Sequence, residues 1–228
     1  MKTLLLSLLC LTLTGSLRAE DSPAKAPETA PAAAAPATTA PEFTGKALEV
    51  KKKLEVLFDF SKDVNNADAK KRSAARAAID SALDWDKISE DAIGAGEWKK
   101  LSAANRSSFR DLLKDVIVRT AYTRLDKFWE GGTTSAFQKI DMDPSNKAHV
   151  VAVFTVKNEP FSLDYYVHSK GGKWLVYDIA FEGERYSVNI NEQIAAFLNE
   201  KSFTVLMEKL RKRRTELMAE AEKPKKKG

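Results

Sequence analysis

The sequence predicts an α+β fold in which an antiparallel sheet of about four strands packs against several helices. Three observations support this prediction. Apolar residues lie at helical spacing from Gly45 to Phe128, they alternate with polar residues between Ala136 and Phe181, and helical spacing returns after Gly183. A run of helices, a meander of strands and a second run of helices is typical of helices segregated on one sheet.

Two helices are predicted in the first part of the folded region. The first follows Gly45, and its apolar residues at helical spacing are Val50, Leu54, Leu57 and Phe58. The pair Asn65-Asn66 interrupts that pattern. The second helix covers Lys70 to Leu83, and its inward residues are Ala74, Ala75, Ala78, Ile79 and Leu83.

A short helix and a long helix follow. Ser89 is predicted to cap the short one, which runs through Ile93 and ends at the glycines within 94–96. Ser102 is predicted to cap the longest helix, which the glycines at 131–132 end. The wide apolar stripe of that helix comprises Phe109, Leu112, Leu113, Val116, Ile117, Ala121, Leu125 and Phe128.

The strands come next, separated by hairpin turns. The four predicted strands are Ala136–Met142, Ala148–Val156, Phe161–Ser169 and Lys173–Phe181. The turn sequences are Lys157–Pro160 and Lys170–Gly172. A sharp turn at Gly183 then leads into two short amphipathic helices, which reach Leu210.

The chain divides into four predicted segments. Residues 1–19 have the charged start, the apolar run and the small residues of a secretory signal, although a retained hydrophobic anchor is the alternative. Residues 20–43 form a linker rich in Ala and Pro, which we expect to be disordered. Residues 44–218 form the folded domain, and residues 219–228 a basic disordered tail. The single cysteine, Cys10, lies in the signal, so the mature protein is expected to form no disulfide.

The positive charge of the chain is concentrated at its end. The net charge is +5, but residues 209–228 alone carry nine Lys/Arg against three Glu, and the signal carries two more cations. The body, residues 20–208, therefore has a net charge of −3. Nucleic-acid binding would require basic residues interleaved with aromatic ones on one face, a pattern that the body lacks. We expect no nucleic-acid partner.

Catalytic and metal-binding motifs are not found in the sequence. Its two histidines, His149 and His168, have no further ligands at metal-binding spacing, and no metal or cofactor is expected. Asp164, Tyr166 and His168 share one face of the third strand, which fits an acid/base trio but is more typical of the solvent side of an amphipathic strand. We therefore expect the protein not to be an enzyme.

Asp178 is a carboxylate in an otherwise apolar strand. It is either a residue of a functional site or, as we prefer, a structural carboxylate that holds a neighbouring loop through backbone N–H groups. Aromatic residues are abundant on both helices and strands. They are explained equally well by a filled core and by a core that encloses a cavity.

The order of motifs along residues 70–213 resembles that of a known family. The motifs are an aromatic residue beside Asp at Asp84-Trp85, Gly-x-Trp at 96–98, a helix of the type Phe-x-x-Leu-Leu at 109–113 ending in Tyr122, Trp-x-Val-Tyr-Asp at 174–178, the turn at Gly183, and a final helix at 201–210. In this order they resemble the MlaC family of periplasmic phospholipid-binding proteins, also called the toluene-tolerance family. Proteins of this family are auxiliary components of a lipid-transporting ABC system.

The resemblance implies a fold and a site. It implies a curved sheet, with a sheet-and-helix portion like that of NTF2, packed on helices around an apolar cavity for acyl chains. The candidate cavity residues are Trp98, Phe109, Leu112, Leu113, Val116, Ile117, Phe154, Tyr165, Val167, Tyr177, Phe181 and Phe197. Substituting Leu113 by Trp is accordingly expected to reduce bound lipid.

The resemblance also implies a function and partners. The chain is expected to be a periplasmic carrier, exported across the inner membrane, that shuttles phospholipid between envelope membranes. Its expected partners are phospholipid, an inner-membrane ABC transporter complex and an outer-membrane lipoprotein, and we expect a monomer. The alternatives are a non-catalytic envelope interaction module and a small-molecule enzyme on an NTF2-like scaffold.

One segment departs from the family pattern. Family members commonly carry a small apolar residue and Ser after the position of Gly183, whereas this chain has Glu184, Arg185 and Tyr186. If the Glu184 carboxylate points inward, it opposes acyl chains. If it faces solvent, it has no effect on them.

Overall fold

The computed structural model describes residues 41–129 and 132–222. The seven helices within this part are α1 (Gly45–Lys62), α2 (Ala69–Ala82), α3 (Trp85–Ile93), α4 (Ala95–Lys100), α5 (Ala103–Trp129), α6 (Tyr186–Glu200) and α7 (Phe203–Glu222). The strands are β1 (Thr134–Asp143), β2 (Lys147–Val156), β3 (Glu159–Lys170), β4 (Lys173–Phe181) and β5 (Glu184–Arg185). The predicted signal, residues 20–40 of the predicted linker and residues 223–228 lie outside the described residues.

The strands form one open antiparallel sheet in the order β1-β2-β3-β4-β5. Each strand pairs with its neighbour in sequence, so the predicted meander and the α+β class are confirmed. The β2–β3 hairpin turns at Lys157 and Asn158, which both have positive φ, as a tight two-residue turn requires. The register shifts at 137–139 of β1 and at Tyr177 of β4, opposite Tyr166/Val167 of β3, are β-bulges, which bend and twist a sheet.

One apolar core lies entirely among helices. We call it the helical core; it is built from α3, α5, α6 and α7. Its buried members are Ala92, Ile93, Phe109, Leu112, Leu113, Val116, Ile190, Ile194, Leu206, Met207, Leu210 and Leu217. The N-terminal half of α5 packs against α7 there, so the stripe predicted on α5 is buried over its first part by other helices.

A second core lies between the sheet and α1. We call it the sheet core, and its buried members are Val50, Leu54, Phe58, Phe137, Ala148, Val150, Ala152, Phe154, Tyr165, Val167 and Val176. Phe58 of α1 is its centre, with ring centroids 5.5 Å from Phe137, 5.1 Å from Phe154 and 5.4 Å from Tyr165. The residues of α1 predicted at helical spacing thus lie on the sheet.

Local details differ from the sequence-based expectation at the short helices. The cap of α3 is Asp84, whose Oδ1 accepts a hydrogen bond from the Lys87 N–H at 3.2 Å, and Ser89 lies buried inside the helix. The prediction of a cap at Ser89 is therefore wrong. Asp and Ser cap helices about equally well. Asp84 is the cap here because it lies directly before Trp85, the first apolar residue of the helix. Ser102 does cap α5, since its Oγ accepts from the Asn105 N–H at 3.2 Å.

Two further elements were not predicted. Residues Ala95–Lys100 form the short helix α4, which starts directly after Gly94, a residue with a φ of 87°. Helix α7 continues to Glu222, so residues 219–222 of the predicted tail are helical.

Candidate functional site

An apolar cavity of about 270 Å³ lies between the C-terminal half of α5, the helices α1 and α2, and the inner face of the sheet. For comparison, a cavity of 150 Å³ in another protein accommodates benzene. The residues that line it are Leu57, Phe58, Ser61, Ile79, Leu83, Trp85, Ile117, Val118, Ala121, Tyr122, Arg124, Leu125, Phe128, Trp129, Phe154, Leu163, Tyr165, Ile179, Phe181 and Tyr186. Nearly all of these side chains are aliphatic or aromatic, so the cavity suits an apolar ligand.

Helix α5 supplies one wall of the cavity. Ile117, Ala121, Leu125 and Phe128 recur at intervals of three or four residues and therefore share one face of the helix. Each of these four residues is only half-buried, unlike the fully buried residues earlier in the same helix. The wall thus remains open to a ligand, because no segment within 41–129 and 132–222 packs fully against it.

The sheet supplies the opposite wall. Phe154 of β2, Leu163 and Tyr165 of β3, and Ile179 and Phe181 of β4 all face the cavity. Their positions follow from strand alternation and antiparallel pairing, since Tyr165 lies opposite Ile179 and Leu163 opposite Phe181. Phe154 also packs edge-on against Phe128 of α5, with ring centroids 5.4 Å apart, and this contact joins the two walls.

Most of the few polar groups in the lining either form hydrogen bonds or are uncharged. Ser61 Oγ accepts a hydrogen bond from Trp129 Nε1 at 2.9 Å and donates one to the Phe58 carbonyl at 2.7 Å. Burial raises the pKa of the Tyr165 and Tyr186 hydroxyls far above the ordinary tyrosine value, so both stay uncharged. Among the lining residues that the structure describes, Arg124 alone is a basic residue.

A smaller hollow of about 100 Å³ adjoins the main cavity. The two spaces share the walls formed by Leu83, Trp85, Ile117, Ile179 and Tyr186. The smaller hollow reaches towards Ile88 and Ile190 at the edge of the helical core. The apolar space therefore extends from the sheet core towards the junction with the helical core.

The structure brings four of the twelve predicted site residues to the main cavity. These are Ile117, Phe154, Tyr165 and Phe181. Val167 is fully buried in the sheet core without lining the cavity. The six residues Trp98, Phe109, Leu112, Leu113, Val116 and Phe197 belong to, or pack against, the helical core and do not line the cavity. They lie elsewhere because α3, α6 and α7 cover the N-terminal half of α5.

Tyr177 is displaced by a β-bulge. Strict alternation along β4 would place it on the inner face with Ile179 and Phe181. Two residues of β4, Tyr177 and Asp178, instead lie opposite the single residue Tyr166, and the ring of Tyr177 lies 4.9 Å from that of His168 on the outer face. Tyr177 borders the smaller hollow and a cleft on the outer face beside His149 and Tyr166, but it does not line the main cavity.

Several lining residues were not among the predicted site residues. Ala121, Leu125 and Phe128 were recognised as part of the α5 stripe, and the stripe alone could have identified them. Leu163 is on the same strand face as Tyr165, which is a similar signal. Arg124 and Ser61 carry no apolar signal, so sequence patterns could not have assigned them.

The turn after β4 is held by Asp178. The side chain of Asp178 is only 1% exposed. Its Oδ1 accepts the N–H groups of Ile179 and Ser187, both at 3.0 Å, and its Oδ2 accepts Arg185 Nε and Ser187 Oγ, both at 2.6 Å. Burial opposes the charged form of Arg185, but the hydrogen bond to Asp178 outweighs it and raises the pKa of the guanidinium. Asp178 therefore has the structural role preferred from the sequence.

The Asp178 turn also fixes the direction of Glu184. Glu184 lies in β5, pairs with Phe181 of β4 and is exposed. Its carboxylate faces solvent, which decides between the two orientations that the sequence left open.

The proposed acid/base trio on β3 does not assemble. His168 Nε2 lies 2.9 Å from Oδ2 of Asp84, a carboxylate from another part of the chain, and Asp164 faces His149 at 3.2 Å. Among residues 41–129 and 132–222, no group of three or more His, Cys, Asp or Glu side chains is arranged to hold a metal ion. Within those same ranges, the helices are either too short or too polar to cross a membrane.

Comparisons with known proteins agree with this geometry. The family model described as MlaC protein matches residues 50–212, which is more than half of the chain. No curated protein matches the chain. A solved structure of a phospholipid-binding protein from Ralstonia solanacearum, in complex with a phospholipid, is similar with a TM-score of 0.65 and 21% identity, and the match covers 75% of this chain and 98% of that one. That likeness shows the fold, and the family model shows the family: the chain belongs to the MlaC family.

Proposed function

We propose that the protein is a periplasmic carrier that encloses the acyl chains of a phospholipid and moves the lipid between envelope membranes together with an ABC transporter. The observation that carries the proposal is the cavity of about 270 Å³ between α5 and the sheet, with walls that are almost entirely aliphatic and aromatic. Membership of the MlaC family and the phospholipid held by the structural relative support the same ligand.

The energetics of lipid transfer explain why such a cavity is needed. Burial of each methylene is worth about 0.8 kcal/mol, so two acyl chains with about thirty methylenes would cost on the order of 24 kcal/mol to expose to water. A carrier must therefore enclose the chains, and neither covalent chemistry nor a cofactor is needed for that. This supports a binding and transport protein rather than an enzyme.

The size of the cavity predicts a movement on loading. Pockets for drug-sized ligands usually measure about 300–1,000 Å³, and this cavity lies just below that range. Two long chains therefore require α5 and the sheet to separate further. The contacts that would have to loosen are those between Phe128, Trp129 and the rings of Phe154 and Phe161.

The compartment and the protein partners are also part of the proposal. Residues 1–19 have the pattern of a secretory signal, which supports export across the inner membrane. An inner-membrane ABC transporter complex and an outer-membrane lipoprotein are the partners implied by the family. We propose that the carrier works as a monomer.

The test is to narrow the cavity without disturbing either core. Ala121→Trp places a large ring in the cavity from the middle of its α5 wall, and Thr123→Trp places the same ring on the exposed side of that helix. Lipid bound to gently purified protein is then measured by mass spectrometry. We expect wild type and Thr123→Trp to carry up to about one phospholipid per chain and Ala121→Trp to carry at least about tenfold less.

Two outcomes would contradict the proposal. One is wild-type protein, purified from a native envelope, that contains no lipid. The other is Ala121→Trp protein that stays folded and keeps its full lipid load. The first result would favour the alternative of a non-catalytic envelope interaction module, and the second would show that the lipid binds outside this cavity.

A further inference from the structure

Arg124 differs from the other arginines of its helix. It follows Ala121 by three residues and precedes Phe128 by four, so it lies on the cavity-lining face of α5. The residue as a whole is half-buried, yet its Nη1 atom is buried. Within the described ranges 41–129 and 132–222, no acceptor binds this Nη1 and no carboxylate forms an ion pair with Arg124.

The other arginines of α5 have partners. Arg106 donates to the Trp98 carbonyl at 2.9 Å, Arg110 pairs with Asp86 at 3.0 Å, and Arg119 pairs with Asp115 at 2.7 Å. Arg119 is only five residues from Arg124, but it borders the polar cleft between α2 and α5 rather than the cavity. The missing partner is thus specific to the arginine that reaches the cavity.

An enclosed guanidinium nitrogen without an acceptor is unfavourable. A buried donor without a partner destabilises the folded protein, and a charged donor does so more strongly than a neutral one. The protein gains nothing from this arrangement in the empty state. An acceptor supplied by a ligand would remove the cost.

The surroundings of Arg124 restrict the chemistry of that ligand. The rest of the lining is apolar or carries uncharged hydroxyls, so the ligand must combine an apolar body with an anionic group. Since Arg124 lines the cavity and is itself partly exposed, the anionic group lies where the cavity meets solvent. The guanidinium presents a planar fork of donors that matches the oxygens of a phosphate.

We propose that Arg124 binds the phosphate diester of the lipid headgroup while the acyl chains occupy the cavity. This assignment rests on the proposed carrier function and adds to it a selection for lipids that contain phosphate. The same chemistry, anionic oxygens on a guanidinium, is also offered by the carboxylate of a fatty acid and by free inorganic phosphate. The experiment must separate these sources.

The main arm compares two lipids with identical chains. Delipidated protein is titrated with dioleoyl phosphatidylglycerol and with dioleoylglycerol, which lacks the phosphate. We expect wild type to bind phosphatidylglycerol at least about tenfold more tightly, since a charged hydrogen bond contributes about 1.5–3 kcal/mol. In Arg124→Met that preference should disappear, because phosphatidylglycerol binds more weakly while dioleoylglycerol binding is unchanged. Arg124→Lys should keep part of the preference, because an ammonium keeps the positive charge but lacks the planar fork of donors.

Arg119→Met is the matched control. It removes an arginine from the same helix, but one that pairs with Asp115 outside the cavity. It should keep the full preference for phosphatidylglycerol. A loss of preference equal to that of Arg124→Met would show that general positive charge, rather than Arg124, attracts the lipid.

The remaining arms separate the sources and the two proposals. If oleic acid binds as tightly as phosphatidylglycerol, and Arg124→Met weakens the binding of both equally, the site recognises carboxylates as well as phosphates. The melting temperature of wild type is also measured with inorganic phosphate alone. If phosphate raises this temperature, and Arg124→Met abolishes that rise but leaves lipid binding unchanged, the Arg124 site binds free phosphate. If wild type binds both dioleoyl lipids equally, the headgroup assignment fails and the carrier function stands. If it binds neither lipid, the carrier function itself fails.

Discussion

The two halves of α5 carry the same apolar stripe but have different surroundings. In the first half, Phe109, Leu112, Leu113 and Val116 are at most 6% exposed, because side chains of α3, α6 and α7 interdigitate with them. In the second half, the stripe from Ile117 to Phe128 is half-buried and forms one wall of the cavity. The stripe therefore predicts which side of a helix is covered, but the shape of the covering element decides whether the space is filled.

The covering elements differ in how closely they follow α5. Helices pack ridge into groove along one another and leave little space. A bulged sheet bends, and here both β1 and the β3–β4 pair contain bulges. The second half of α5 consequently contacts the sheet at Phe128–Phe154 while leaving the cavity beside that contact.

The largest expected difference between the halves is in stability. Leu113→Ala should destabilise lipid-free protein by about 4 kcal/mol, because it leaves a void in a filled core. Leu125→Ala should cost only about 1 kcal/mol, since Leu125 already borders empty space. Chemical denaturation of both variants measures the difference. Equal losses would mean that the two halves are packed alike.

Leu113 lies in the filled half of α5. Leu113→Trp was expected from the sequence to narrow the cavity, but Leu113 is 0% exposed in the helical core. A larger side chain there overpacks a filled region. Ala121 is the position from which the cavity can be narrowed.

Two buried carboxylates join the helical region to the sheet region. Asp178 holds the turn between β4 and α6, and its partner Arg185 also lies over the ring of Tyr166 at 4.3 Å. Asp178→Asn should cost about 3 kcal/mol, because it leaves a partly buried guanidinium without its counter-charge. Glu182→Gln, an exposed change in the same turn, is the control and should cost little. Similar midpoints of urea denaturation for both variants would contradict the role of Asp178.

Asp84 joins the two regions on the other side. It caps α3, its N–H donates to the Val176 carbonyl of β4 at 2.9 Å, and its carboxylate binds Lys170 and His168 of β3. Burial acts to raise the Asp84 pKa, but the hydrogen bonds from Lys170, the Lys87 N–H and His168 outweigh it and hold the pKa below the ordinary 3.8.

The stabilising contribution of Asp84 should therefore depend on pH in a defined direction. Because the folded-state pKa lies below the unfolded one, the contribution is present above about pH 4 and is lost as the pH falls through the folded value. Asp84→Asn should lower the free energy of unfolding by about 2 kcal/mol at pH 7, and its gap to wild type should narrow towards pH 3. Asp86→Asn, at a side chain 58% exposed, should show no such convergence. A constant gap across this pH range would contradict the assignment.

The sequence predicted much of the fold because the strands alternate and the helices are periodic. Each of the four main strands contains the predicted one, since the pattern of period two extends over most of each strand. The displacement of Tyr177 was not predictable, because a single extra residue reverses which face a side chain occupies and leaves no compositional trace. Phe109 and Phe128 likewise belong to one stripe, and only the three-dimensional arrangement assigns one to a filled core and the other to the cavity.

The smallest expected effect concerns Glu184, the residue that departs most from the family pattern. Since Glu184 is exposed on β5 and does not line the cavity, Glu184→Val should leave lipid retention unchanged within about twofold. It should also change the free energy of unfolding by less than about 0.5 kcal/mol, as is usual for surface positions. Lipid retention is measured by quantitative mass spectrometry of the phospholipid that stays bound. Ala121→Trp is the comparison variant, which must lose the lipid. A clear rise in retention would mean that the carboxylate turns inward when the cavity opens, and the outer rim of the sheet would then belong to the lipid site.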